Sequence, residues 1–220
     1  MWTPALSDVN IVKGRPIFSL QKVMIHQSAH REVIEAYVQT AEHCGTVLRN
    51  VRSSDAEFIL SLRTNGALNK HISATPGGVA EQRKWIERYL ERFDKGEEAY
   101  FIAEHSGVPR GTIRIYDYDV NAGTFVYGSW LMSTDAPACC AFSATILSHD
   151  LGFKVLGFSK VLFDVRKDNR SVCAFHEAVG ATLLRQDDIN RYYEITSEAY
   201  PALRRKMGKF ALRFHERPLP

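Results

Sequence analysis

No apolar run in the chain approaches the ~20 residues needed to cross a bilayer, and no basic stretch followed by an apolar core opens it. Neither a membrane partner nor a secretory signal is expected, and the compartment reads as cytoplasmic. Cysteine is scarce. Cys44, Cys139, Cys140 and Cys173 include no CxxC pair, and the adjacent Cys139 and Cys140 make a poor disulfide framework. Reduced thiols fit better, and no metal is expected. A large excess of one charge is also missing: 28 Lys and Arg face 25 Asp and Glu, a net charge of +3. That balance, with basic residues spread along the chain, gives no support to nucleic-acid binding. The triplet Arg204, Arg205 and Lys206 reads as a solvated helix face.

What remains is a chain of 220 residues, 45% hydrophobic and 24% charged, long enough to bury a core without staples. Residues 1–44 form an extension with weak signals. Within it "RPIFSLQKVMI" reads as one strand, and "HREVIEAYVQTAEH" carries Val33, Ile34, Tyr37 and Val38 at helical spacing. Thereafter the pattern sharpens. "TVLRNV" is a short strand, and "SSDAEFILSLR" is a helix opened by a capping box of Ser54 and Glu57. "AEQRKWIERYLERF" places Trp85, Ile86, Tyr89, Leu90 and Phe93 on one stripe. Three runs, "AYFIAEH", "TIRIYDYDV" and "TFVYGSWLM", are spaced as an antiparallel meander, with "SGVPRG" and "NAG" as its turns. A helix through "CCAFSATILSHDLGF" precedes "KVLFDVR", an apolar strand of the kind buried on both faces. A helix from Arg170 to Val179, the strands "ATLLRQ" and "RYYEIT", and a helix over 198–213 complete the chain. This order predicts an α/β fold: a mixed, mostly antiparallel central sheet with helices on both faces. The expected division is an extension over 1–44, a main domain over 45–197, and a C-terminal helix and tail over 198–220.

Several of these pieces carry a family resemblance: "RSSDAEFILSLRTN", "EQRKWIERY", "GTIRIYD" with "GSWLM", and above all "VRKDNRSVCAFHEAVGA". In the last, Asn169 is followed by His176 seven residues on and Gly180 eleven on. Residues from about 46 to 196 resemble the GCN5-related N-acetyltransferase (GNAT) superfamily. They are most similar to its branch of ribosomal-protein N-terminal and amino-sugar acetyltransferases. The resemblance implies an acyltransferase using acetyl-CoA, with an amine attacking the thioester directly in a ternary complex. It also implies that the fourth and fifth strands, "TFVYGSWLM" and "KVLFDVR", splay apart to admit the pantetheine arm.

The same resemblance implies a set of site residues. Backbone N–H groups near Leu131 and Met132 would polarise the thioester carbonyl, and the amides of Ala138, Cys139 and Cys140 would hold the pyrophosphate at a helix N-terminus. The usual signature there is Arg or Gln, two residues, Gly, one residue, then Gly or Ala; "STDAPACCAF" contains no glycine. Asn169 would touch the pantetheine arm, or simply cap its helix. His176, where the family often has tyrosine, would protonate the departing thiolate, or serve as a packing histidine beside a stripe of Val172, Phe175 and Val179. For the base, Glu104 and Ser129 are candidates, with His105, Asp117, Asp119 and Tyr127 beside them. An acyl-cysteine at Cys139 or Cys140 would have a lowered thiol pKa to use but no partner histidine placed by sequence.

The expected acceptor is a small polar amine, with an amino sugar, free or nucleotide-linked, placed first; Lys70, His71 and Arg114 are candidates to meet its anionic part. A protein N-terminus is the alternative acceptor. A non-catalytic module that senses acyl-CoA is the alternative of another class. The extension would cover the acceptor site or form a homodimer contact.

Overall fold

A computed structural model describes residues 10–12, 15–17, 27–73 and 75–214. Strands β1 (Asn10–Val12) and β2 (Arg15–Ile17) pair as a small antiparallel ladder. Of the strand expected over "RPIFSLQKVMI", β2 is the described part; residues 18–26 lie outside it. The rest of the described chain runs α1 (His30–Val38), β3 (Glu42–His43), β4 (Thr46–Asn50), α2 (Ala56–Thr64), α3 (Val79–Asp94), β5 (Ala99–His105), β6 (Val108–Asp119) and β7 (Thr124–Met132). It continues through α4 (Ala138–Asp150), β8 (Lys160–Arg166), α5 (Arg170–Val179), β9 (Thr182–Gln186), β10 (Asn190–Thr196) and α6 (Tyr200–Arg213). The fold is the expected mixed α/β arrangement. Eight strands lie in the order β3-β4-β5-β6-β7-β8-β10-β9, and all neighbours are antiparallel except β7 and β8.

Side-chain alternation assigns the faces. Tyr100 on β5 meets Trp85 and Tyr89 of α3, and the Tyr89 hydroxyl donates to the Tyr100 carbonyl at 3.2 Å. The helices α2 and α3 therefore cover one face. Its partner residue across the ladder is Arg114, which stacks on the rings of Trp85 and Tyr116 and pairs with the buried Glu98, as does Arg92. On the opposite face, Phe125 and Tyr127 meet His149 of α4. That helix is buried almost throughout, from Ala138 to Asp150, because α6 closes over its outer side.

Local differences from the sequence reading have physical causes. The second helix is entered through a 3-10 turn, Ser53–Asp55, and Asp55 accepts from the Arg52 N–H at 2.7 Å in place of the expected Ser54–Glu57 box. Strand β6 starts at Val108, inside the expected turn. Pro109 is accommodated there because the pairing with β5 shifts beside it, which leaves no ladder bond for its missing N–H to make. The fourth helix ends in a π-helical turn, Leu151–Val155. Gly152 is required in that turn: a Cβ there would lie 2.3 Å from the Phe125 ring.

The α4–α6 contact is pinned by Asp150, which is 8% exposed. It accepts from the Tyr200 hydroxyl at 2.8 Å, from Arg204 Nε at 2.9 and 3.0 Å, and from Lys154 at 2.7 Å. Burial alone would raise its pKa, but the hydrogen bonds from Arg204 and Lys154 outweigh burial and hold it below the ordinary carboxylate range. The folded pKa thus lies below the unfolded one. The stabilisation is present above about pH 4 and is lost as pH falls through the folded value. Asp150→Asn is expected to cost about 1–3 kcal/mol at pH 7 and to flatten the acid limb of stability, read by urea unfolding between pH 7 and 3.

Candidate active site

The parallel strands β7 and β8 pair only at Thr124 with Lys160, Phe125 with Val161 and Val126 with Leu162. Beyond Val126 no pairing joins them, so a gap opens between Tyr127–Met132 and Phe163–Arg166. A bulge explains the divergence. Between Thr112–Leu131 and Arg114–Gly128, three steps on β7 match two on β6. Ser129 takes up the extra residue at φ 49°, and the Thr112 hydroxyl donates to its carbonyl at 2.7 Å. On the far side, β8 keeps an unbroken register with β10 from Lys160 to Arg166. One strand bends with β6 while the other stays with β10.

The bulge also re-aims the last residues of β7. The Ser133 N–H donates to the Arg110 carbonyl at 2.7 Å, so ladder alternation directs the Leu131 N–H toward β6 and the Met132 N–H toward the gap. Gly111, opposite Met132, has no room for a side chain: a Cβ would lie 2.3 Å from the Leu131 carbonyl. Simple alternation would put Ser129 on the same side as Tyr127; its positive φ of 49° breaks that alternation.

His176 lies at the centre of the α5 stripe, not beside it. The buried residues of that helix are Cys173, His176 and Val179, while Val172 and Phe175 pack at its margin. The ring is 2% exposed and enclosed by Phe163, Phe175, Trp130, Tyr127 and Tyr193. Its Nε2 lies 2.9 Å from the Tyr127 hydroxyl. Burial pushes its pKa down to about 3, and the nearby His149 adds to the effect. His149 is itself lowered to about 4 by burial, and its Nε2 has no hydrogen-bond partner among the described residues. At neutral pH His176 is an uncharged imidazole, so the imidazolium proton expected from sequence is not available in this packing.

The remaining predicted residues separate into two groups. Asn169 caps α5: its Oδ1 accepts from the Val172 N–H at 3.4 Å, and Gly180 ends the helix at φ 111°. Ala138, Cys139 and Cys140 form the first turn of α4, which has no side-chain cap; the Cys140 N–H, expected to hold the pyrophosphate, is instead taken by the Pro137 carbonyl at 2.9 Å. Burial pushes the Cys139 thiol up to about 12 and raises Cys140 as well; neither is a ready thiolate nucleophile. Glu104 is placed elsewhere, on β5, which β6 separates from the gap. It accepts from Arg49 Nε at 2.6 Å, and Arg49 is also held twice by Asp55 at 2.8 Å.

Other residues at the gap carried little sequence signal. Asp164 is exposed on β8 and faces the α2–α3 side, where its charge reaches Tyr116. Trp130 stacks on Phe175, and its indole N–H is buried without an acceptor among the described residues. Arg110 pairs with Asp135 and so ties the loop before α4 to β6. On the α2–α3 side, His71 Nδ1 lies 3.2 Å from Asp168, which brings the Asn69–His71 turn to the corner after β8. An open hollow of about 820 Å³, lined by Lys167, Asp168, Arg170, Glu177 and Arg191 among others, lies beside α5 and not in the gap.

This arrangement has relatives. The acetyltransferase (GNAT) domain family matches residues 46–182. Apo FdhC, described as a nucleotide-linked sugar GNAT, is 36% identical over 79% of this chain and 96% of its own, with a TM-score of 0.69. RimJ from Mycobacterium smegmatis, in complex with CoA-disulfide, is 19% identical over 76% of this chain and 91% of its own, with a TM-score of 0.65. The spermidine N-acetyltransferase of Vibrio cholerae, in complex with CoA and spermine, is 14% identical over 71% and 98%, with a TM-score of 0.62. The last two show likeness of fold alone. No curated protein sequence matches.

The lowered pKa values of His149 and His176 make a pH signature. Their folded pKa values lie below the unfolded value of about 6.5, so the unfolded chain gains protons first as pH falls. Stability is expected to be full above about pH 7 and to decline toward pH 4, each histidine adding up to about 1.4 kcal/mol per pH unit. In His176→Phe that decline is shallower, and the Tyr127 hydroxyl, left without its partner, costs about 1–3 kcal/mol at pH 7. Combining it with Tyr127→Phe recovers part of that loss in a denaturant titration.

Proposed function

This chain belongs to the GNAT acetyltransferase family, and from that premise we propose that it transfers an acetyl group from acetyl-CoA to the primary amine of a small polar acceptor. An amino sugar, in particular a nucleotide-linked one, is the favoured acceptor. The observation that carries the reading is the gap between β7 and β8, open from Tyr127 onward on an otherwise continuous sheet. An extended arm fits such an opening as an added strand does, by exchanging hydrogen bonds with the exposed strand edge.

The residues at the gap suit that donor. The Met132 N–H faces the opening and is the donor offered to the thioester carbonyl, where negative charge grows during attack. The indole N–H of Trp130, buried without an acceptor among the described residues, is a donor for an amide carbonyl of the pantetheine arm. At the N-terminus of α4, the helix dipole and the uncapped Ala138 amide favour a diphosphate. Arg110, paired with Asp135, fixes the loop beside that N-terminus.

On the α2–α3 side, Asp164 is the group assigned to the acceptor. It receives the ammonium and takes its proton, directly or through one water, so that the neutral amine can attack. The Tyr127–His176 pair forms an uncharged floor on the opposite face, and its part is to offer a neutral hydrogen bond rather than an imidazolium proton. The preference for an amino sugar draws support from the 36% identity to a nucleotide-linked sugar GNAT. Arg114 is already neutralised by Glu98 and stacked on Tyr116, which leaves Lys70 and the His71 corner as the candidates for an acceptor's anion.

Release of free CoA thiol from acetyl-CoA, measured with amino sugars, nucleotide amino sugars, polyamines and peptide N-termini, tests the reading. Amino-sugar acceptors are expected to turn over at least about tenfold faster than the others. Asp164→Asn should lower kcat by about 10–100-fold, the scale of one lost general base. Trp130→Phe should raise the acetyl-CoA KM several-fold and leave kcat within about twofold. Tight CoA binding with no thiol release for any amine would instead mark a sensing module.

A further inference from the structure

We propose that His105, Cys139 and Cys140 form a binding site for a borderline-soft divalent cation, with Zn2+ as the best match, beneath the first turn of α4. The site does not depend on which amine the enzyme acetylates. Three chain segments bring the residues together. His105 ends β5, Thr46 opens β4 directly opposite it, and the two cysteines occupy the first turn of α4 above both. One ligand atom from each of the three residues lies within 4.8 Å of the other two. In a tetrahedral zinc site with two sulfurs and one nitrogen, the corresponding ligand separations are about 3.5–3.8 Å. Closure therefore needs a shift of about 1 Å, within the reach of a χ1 adjustment.

The surroundings support coordination over simple packing. Both cysteines and Thr46 are fully buried, and His105 is half-buried. The Thr46 hydroxyl lies 3.2 Å from His105 Nδ1 and 3.8 Å from Cys140 Sγ. Such a hydroxyl orients a ligating imidazole and thiolate from outside the metal's own shell. Sulfur and imidazole together select Zn2+ or Co2+ over Mg2+ or Ca2+, which prefer oxygen. Binding displaces two thiol protons to solvent, and the two thiolates balance the cation's charge. The result is an electrically neutral clip between the end of β5 and the first turn of α4. Three protein ligands leave a fourth position for water.

Cobalt(II) titrated into the reduced, full-length chain reads the site without reference to turnover. A thiolate-to-cobalt charge-transfer band with d–d bands of tetrahedral intensity is expected, saturating near one equivalent. Cys139→Ser combined with Cys140→Ser should remove more than about 90% of the band, and His105→Gln should weaken affinity by about tenfold or more, the scale of a lost ligand contact. The pair Cys44→Ser and Cys173→Ser should leave the spectrum unchanged. Absence of the band in the wild type, or a band that survives the Cys139→Ser/Cys140→Ser change, overturns the proposal. Should that double variant fail to fold, elemental zinc in the gel-filtered wild type decides the matter: about one equivalent sustains the proposal, and under about a tenth rejects it.

Discussion

A single hydrogen bond between neighbouring strands governs this molecule: the Thr112 hydroxyl holding the Ser129 carbonyl within a left-handed turn of backbone. A residue other than glycine in that conformation is strained, and the strain is retained because both flanking stretches of β7 are fixed in register with β6. The bulge bends β7 away from β8, which opens the gap and turns the amide of Met132 outward. Gly111 and Gly128 belong to the same device. A side chain at Gly111 would collide with the Leu131 carbonyl, and one at Gly128 would press on the Tyr116 hydroxyl at 2.9 Å.

Opposite the gap, the chain buries two imidazoles in a cluster of aromatic rings where charge is excluded. Tyr127 stands between them, hydrogen-bonded to His176 and edge-on to His149. Desolvation decides the outcome there, because no carboxylate lies against His176 to hold a proton on it. On the other face of the sheet Asp164 is exposed. The sheet thus separates an apolar floor from a polar, open side.

Much of the fold was legible in the sequence because local pattern and tertiary demand agree. The α3 stripe from Trp85 to Phe93, the meander of β5 to β7, and the Asn169-to-Gly180 span of α5 appear where periodicity and capping place them. The family was legible through the same segments. The site was less so. Alternation could not foresee the Ser129 bulge, which needs a partner strand to define it. The burial of His176 is masked in the sequence because its neighbours Val172 and Phe175 are more apolar, whereas the helix turns Cys173 and His176 inward. The proposed base Asp164 gave no signal because one acid in a strand resembles any surface acid; it is singled out by the alternation of β8 beside an open edge.

The clasp of α6 on α4 carries a consequence for how this domain can be divided. Leu203, Met207 and Ala211 are buried, and Tyr200 reaches back to the Ile146 carbonyl and Asp150. A protein ending near residue 197 would therefore lose the outer wall of α4. Although the family match stops at residue 182, the packed helical layer continues some thirty residues further, to Arg213.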